Sequence, residues 1–217
     1  MKIAKEGLPF IAVFLVPGIL FLVLHLYLPA IVFGIFLLFS LYFFRDPERS
    51  VIRDDRVLLS PADGKIMDIS LKEDLLAPGR MFRKVSIFLN IFNVHITRSP
   101  MEGKILRVVY QPGKFLPAQR AEASERNEQN AVLLSNEKDT IIFRLIAGLI
   151  ARRIVFKKKE DDLLQQGERV GMIRFGSRVD LFFDRDMDIL VKTGDKVKGG
   201  ISPIARKKNR QQENKKS

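Results

Sequence analysis

The pattern of apolar and charged positions divides the chain into unlike parts. From Leu8 to Phe44 no residue carries a charge, a run of 37 positions. One membrane-spanning helix needs only about 20 residues. His25, Tyr27 and Pro29 interrupt the run at "HLYLP", so the pattern predicts two helices of about 17 residues each, meeting in a turn. At 1.5 Å per residue each arm reaches about 26 Å, slightly short of a hydrocarbon core of roughly 30 Å. Such arms span a thinned bilayer or enter it as a re-entrant hairpin. The ordinary alternative, a buried core hairpin, is disfavoured by so long a stretch without charge. Lys2 and Lys5 precede the run, and Arg45 and Arg49 follow it, which favours both ends on the cytoplasmic side. No small-residue cleavage site follows the first apolar run and the hydrophobicity resumes, which disfavours a removed signal peptide.

After "FFRDPERS" (43–50) the pattern changes. Short segments rich in Val, Ile and Phe recur at 64–71, 84–92, 104–110, 131–135, 140–146, 151–157 and 178–183, and they predict strands. Asp63-Gly64, Pro112-Gly113 and Thr193-Gly194-Asp195 mark turns between them. The polar stretch 118–130 has helix-friendly or loop character, and 159–171 reads as a short helix ended by Gly167. The expected fold is mainly β with few helices, behind an N-terminal helical hairpin. Its expected parts are a hairpin at 1–44, a β-rich domain at 45–204 and a basic, disordered tail at 205–217. Two stretches, "SPADGKIMDI" (60–69) and "ILVKTGDKVKGG" (189–200), are similar to the halves of a lipoyl- or biotinyl-type barrel-sandwich. The second lacks the lysine-bearing tip between methionines that a carrier domain needs, so the likeness is architectural.

Composition narrows the chemistry. With no cysteine, disulfides and thiolate sites are excluded. Only two histidines disfavour a His-rich zinc site, which leaves carboxylates as the main metal candidates, though no paired-carboxylate metal spacing appears. The net charge of +12 suggests an anionic partner, and the charge-free run selects an anionic membrane surface over nucleic acid, for which no motif is present. The tail from Ala205 holds six basic residues and Glu213, suited to anionic headgroups at up to about 1 kcal/mol per basic residue.

Within "RFGSRVDLFF" (174–183) a Gly-Ser pair interrupts a strand pattern. A glycine there marks a bulge, a close backbone approach, or a backbone that must itself react. Taken with "FFRDPER" (43–49), "SPADGKI" (60–66), "FNVHITRSP" (92–100) and "IAGLIARRIV" (146–155), the chain resembles the short form of the pyruvoyl-dependent phosphatidylserine decarboxylases, from the hairpin to about Ile204. The resemblance implies a proenzyme that cuts itself between Gly176 and Ser177. The Ser177 hydroxyl attacks the Gly176 carbonyl to form an ester, and loss of the Ser177 α-proton eliminates it. The resulting dehydroalanine hydrolyses to a pyruvoyl group and ammonia. Residues 1–176 then form a β chain and 177–217 an α chain, a heterodimer whose further oligomerisation stays open. The covalent pyruvoyl group, with no metal, forms a Schiff base with phosphatidylserine and accepts the electrons released with CO2, giving phosphatidylethanolamine. The implied location is the cytoplasmic face of the cell membrane, peripheral or held by the hairpin.

The resemblance also assigns helpers. Asp63 in the "SPADG" turn and His95 serve with Ser177 as a self-cleavage triad, histidine being the base best matched to neutral pH. The longer bacterial form has two histidines three apart before a proline. Here only His95 remains and Arg98 holds the second place, so His95 serves cleavage, decarboxylation or both. Arg98 and Arg178 are candidates for the lipid phosphate or carboxylate, each with a structural ion pair or a solvated cation as the plain alternative. Asp63 as an ordinary Asp-Gly turn and His95 as a satisfied strand-end histidine are the corresponding alternatives. A non-enzymatic membrane adaptor with a lipoyl-like β domain explains the hairpin and the charge, but not Ser177 together with His95 and Asp63.

Overall fold

The computed structural model describes residues 2–120, 122–149, 153–174 and 176–208. The chain forms two compact units, one of Met1–Arg49 with Ile91–Val94, the other of Ser50–Asn90 with His95 onward. In the first, β1 (Lys2–Ile3) pairs antiparallel with β2 (Arg45–Asp46), and between them run α1 (Leu8–Val23) and α2 (Tyr27–Phe43). The break falls at the interruption of the apolar run. The arms meet through aromatic rings: Phe14 stacks on Phe36 with centroids 5.4 Å apart, and Phe21 meets Phe33 at 5.5 Å. The remaining apolar surface faces outward. Helix α1 has no buried residue, and Val23 and Leu28 are 68% and 76% exposed. Lys5–Val23 is long and apolar enough to cross a membrane, whereas α2 is shorter. Arg45 closes the end of α2, where helix carbonyls lack partners and the dipole is negative. Its Nη1 donates to the Tyr42 carbonyl and its Nη2 to the Phe92 carbonyl, each at 2.7 Å.

The second unit is mainly β, as the alternating pattern predicts. In chain order it contains β3 (Val57–Leu59), β4 (Gly64–Asp74), β5 (Ala77–Leu89), β6 (Ile96–Arg98), β7 (Gly103–Gln111), the one-turn α3 (Ala123–Arg126), β8 (Gln129–Ser135), β9 (Thr140–Ile146), β10 (Ile154–Phe156), β11 (Leu163–Leu164), β12 (Arg169–Ile173), β13 (Ser177–Asp184), β14 (Asp188–Ile189), β15 (Lys196–Val197) and β16 (Pro203–Arg206). Eight strands form one sheet in the order β11-β7-β8-β9-β13-β5-β4-β15, and two three-stranded sheets run β10-β12-β6 and β14-β16-β3.

Strand β13 lies inside the large sheet, antiparallel to β5 and β9, with Arg178 opposite both Phe88 and Ile146. Side chains alternate across a strand. Val179, Leu181 and Phe183 therefore enter the main core with Ile87, Leu89, Phe143 and Leu145, while Phe182 joins Phe82 and Ile142 on the other face. The two barrel-sandwich-like stretches lie side by side. Val197 pairs with Gly64, the Ile66 N–H donates to the Asp195 carbonyl at 2.9 Å, and the Gly194 N–H donates to the Ile66 carbonyl at 2.8 Å.

Two local expectations change and one is sharpened. The segment 159–171 is not helical: Leu163 and Leu164 pair with Lys104 and Gly103 as β11. The Gln166 amide of this segment donates to the Val57 carbonyl at 2.7 Å, so tertiary bonds override a local helical preference. In 118–130, whose sequence suits a helix or a loop, the described residues hold a helical turn at Ala123–Arg126, and β8 begins at Gln129. The strand expected at 84–92 starts earlier, at Ala77, and ends at Leu89. Residues 151 and 152 and the tail from 209 lie outside the described residues, while Ala205 and Arg206 belong to β16.

Candidate active site

Ser177 opens β13, with Leu89 as its partner on β5. By alternation its side chain falls on the core face with Val179 and Leu181. It is fully buried, and its hydroxyl has no hydrogen-bond partner among the described residues. Leaving a buried hydroxyl unsatisfied costs about 1–3 kcal/mol, so burial here is not compensated by any bond from the described residues. Gly176 precedes it with φ +57°, a left-handed conformation that costs other residues more than glycine. A Cβ at Gly176 would meet nothing within 4 Å. Backbone conformation, not crowding, is what calls for glycine at 176.

The Asp63 turn and the His95 strand are laced together by backbone bonds. The Arg98 N–H donates to the Pro61 carbonyl at 2.8 Å and the Leu59 N–H to the Pro100 carbonyl at 2.9 Å. His95 is fully buried and Asp63 nearly so. The His95 carbonyl accepts the Ile173 N–H at 3.3 Å, which ties β6 to the end of β12, three residues before Gly176. Asp63 Oδ1 accepts the Gly199 N–H at 2.8 Å, a charge-assisted bond that fixes this carboxylate. The fold thus joins the Asp63 turn, the His95 strand and the strand leading to Ser177 through main-chain bonds.

The two candidate arginines differ. Arg178 points to the face opposite Ser177, is 2% exposed, and grips Asp180 with both ends of its fork, Nε to Oδ1 at 2.7 Å and Nη2 to Oδ2 at 2.6 Å. Its Nη2 also donates to Ser124. This is the structural ion pair set against lipid binding in the sequence. Arg98 is half-buried on β6, its Nη1 donating to the Gly167 carbonyl at 3.1 Å. Arg169 of β12 stands directly across from it. Like charges opposed on neighbouring strands are unfavourable. Sequence reading missed this pair because only strand pairing brings 98 and 169 together.

A second feature also escaped sequence reading. Gly148 lies just beyond β9, and a Cβ on it would collide with the Gly176 carbonyl oxygen. The signal was a glycine in "IAGLIARRIV", whose meaning depends on which strand lies alongside.

Comparison with known proteins identifies the family. The family model for phosphatidylserine decarboxylase matches residues 36–205. A phosphatidylserine decarboxylase proenzyme of Pelagibacter ubique is 46% identical over 211 residues, covering 95% of this chain and 97% of that protein. The proenzyme of Syntrophus aciditrophicus is 43% identical over 209 residues, 93% of this chain and 96% of its own length. That of Magnetococcus marinus is 40% identical over 211 residues, 96% and 97% respectively. A match over most of the chain, carried by relatives of nearly equal length, places it: this chain belongs to the phosphatidylserine decarboxylase family.

Proposed function

We propose that the chain is a self-processing, membrane-bound decarboxylase that converts phosphatidylserine to phosphatidylethanolamine and CO2, using a pyruvoyl group made from its own Ser177. The observation that carries the reading is a buried Ser177 hydroxyl without a partner among the described residues, directly after a glycine at φ +57°, in a chain whose relatives are named proenzymes. An uncommitted hydroxyl next to its own peptide carbonyl fits a serine that is to be converted. The Ser177 Oγ–C176 bond forms as the C176–N177 bond breaks, and the hydroxyl proton ends on the freed amine. Loss of the Ser177 α-proton then expels the Gly176 carboxylate, and water replaces the nitrogen as ammonia.

His95 is the base for these proton transfers and Asp63 the group that orients it. The bond from Gly199 to Asp63 Oδ1 supports that role by holding the carboxylate. The pyruvoyl group supplies a carbonyl electrophile that takes up the electron pair released with CO2. The cut leaves 1–176 and 177–217 interlocked, because β13 is hydrogen-bonded on both edges. Arg98, with Arg169 beside it, is better placed than Arg178 to meet the lipid phosphate. The outward apolar surface of α1 and α2 fits a hydrocarbon environment, and Lys2, Lys5, Arg45 and Arg49 favour the cytoplasmic face.

Intact mass measurement tests the proposal. The purified protein should yield two chains parted after Gly176, the smaller blocked by pyruvoyl. Borohydride with phosphatidylserine should fix the lipid to its first residue. A single 217-residue chain that decarboxylates the lipid would overturn the reading.

A further inference from the structure

We infer that Gly148 is a positioning residue for the chain's own cleavage: its missing side chain forms the recess that holds the Gly176 carbonyl oxygen while Ser177 attacks. The inference rests on the cleavage reading above and adds a residue to it.

The register of the sheet places the two glycines together. Strand β9 pairs with β13 through Ile146 opposite Arg178. Continuing that antiparallel register sets Ala147 opposite Ser177 and Gly148 opposite Gly176. The approach is close. A Cβ on Gly148 would overlap the Gly176 carbonyl oxygen, lie 3.0 Å from its carbonyl carbon and 3.4 Å from the Ala118 Cβ. The carbonyl thus occupies the place where any other residue would carry its side chain. By contrast, a Cβ on Gly176 would meet nothing within 4 Å. One glycine serves by its conformation, the other by the space it leaves.

The wall behind Gly148 is anchored. The Ala147 N–H donates to the Glu128 carbonyl at 2.9 Å, and the Ala147 carbonyl accepts the Asn127 amide at 2.7 Å. Asn127 is fully buried and also bonds both backbone groups of Leu116, at 2.9 and 2.8 Å. With Ala147 held on both sides, an added methyl at 148 is relieved mainly by displacing the Gly176 carbonyl. That displacement acts on the reacting atoms. As the Ser177 Oγ–C176 bond forms, the carbonyl π pair moves onto the oxygen that lies against Gly148. When the C–N bond breaks, the pair returns to give the ester, and the amine keeps the hydroxyl proton. Moving the carbonyl by about 1 Å spoils the approach of Oγ and slows such a step about 100-fold.

The test follows cleavage of freshly made precursor by electrophoresis. Gly148→Ala should release the 177–217 fragment about 100-fold more slowly, with a Tm within about 4 °C of uncut Ser177→Ala. Hydroxylamine cuts an ester but not an amide, so it reads the attack step alone. Its release of a fragment starting with unmodified serine should fall by the same factor. Gly34→Ala adds the same methyl where nothing lies within 4 Å, and should process at the wild-type rate. If Gly148→Ala does not fold, Ala118→Val crowds the recess from its other wall and should slow ester formation. A folded Gly148→Ala, or in its absence a folded Ala118→Val, that forms ester at the wild-type rate overturns the inference while wild type still cuts after Gly176. A wild type that never cuts overturns the cleavage reading instead.

Discussion

On one face of β13, Ser177 stands in line with Val179, Leu181 and Phe183; on the other, Arg178 stands with Asp180 and Phe182. The two faces treat buried polar groups in opposite ways. The Ser177 hydroxyl has no hydrogen-bond partner among the described residues. The Arg178 guanidinium is held at both ends by Asp180. One strand over, Arg144 is matched in the same manner, Nε to Asp74 Oδ2 at 2.6 Å and Nη2 to Asp74 Oδ1 at 2.7 Å, with Nη1 on Gln129 at 3.0 Å. Asp180 and Arg144 are direct cross-strand neighbours, so the two pairs form a buried ionic belt across β9 and β13. Such a belt fixes register, because a slip of one residue would turn its charges into the apolar core. The other face needs the reverse. In the proposed cleavage, a hydrogen bond that consumed the Ser177 hydroxyl would compete with its attack on Gly176. On the proposed reading, one face holds the strand still while the other carries the serine that reacts.

The sharpest way to break this comparison is to remove the Ser177 hydroxyl. Ser177→Ala should abolish cleavage entirely and leave one chain of 24.9 kDa without decarboxylase activity. Its Tm should equal or slightly exceed that of other uncut forms, because the hydroxyl has no partner among the described residues and its removal relieves a desolvation cost. Electrophoresis and thermal unfolding check both halves. A Ser177→Ala protein that still splits would mean the hydroxyl is not the attacking group, and one that loses several kcal/mol of stability would mean it is structural.

Next in size is the opposite face. Asp180→Asn strips Arg178 of its counter-charge while both remain buried, and should cost about 3–5 kcal/mol in urea unfolding. The fraction that folds should still cut, since Asp180 lies across the sheet from Ser177. If Asp180→Asn stops cleavage without loss of stability, the two faces are not separate in function.

How much of this was legible beforehand depends on how local the cause is. The hairpin is a property of consecutive residues, 37 without a charge, and the sequence displays it directly. The alternation in "SRVDLFF" likewise shows a strand with Ser177 and Arg178 on opposite faces. Asp180, two residues beyond Arg178 and on the same face, was a readable sign of the ion pair. The pairing of β9 with β13 was not readable, and it alone gives Gly148 its meaning and opposes Arg144 to Asp180. The misread helix at 159–171 has the same origin: Leu163 and Leu164 find an edge to pair with, which no local propensity records.

The smallest expected effect lies at the edge of the ionic belt, where β4 meets β5. Asp68 sits opposite Ser86, with Lys84 Nζ at 2.9 Å and the Ser70 hydroxyl at 2.9 Å from its carboxylate. Partial burial pushes its pKa up, but the bonds from Lys84 and Ser70 together outweigh this and hold it below the ordinary value. A carboxyl with a depressed folded pKa adds stability above its unfolded pKa of about 3.9 and loses it as pH falls through the folded value. The carboxylate is 43% exposed, so solvent screening limits the pair to about 0.2–1 kcal/mol. Wild type should therefore exceed Asp68→Asn in urea stability by this amount near pH 7. The gap should persist down to about pH 4 and close as the solution is acidified further. High salt should shrink it at neutral pH, because a partly exposed pair is screened. A gap that stays constant through the acid range would show that Asn loses packing and not charge. The ion pair at Asp68 would then contribute nothing to the belt's hold on the sheet.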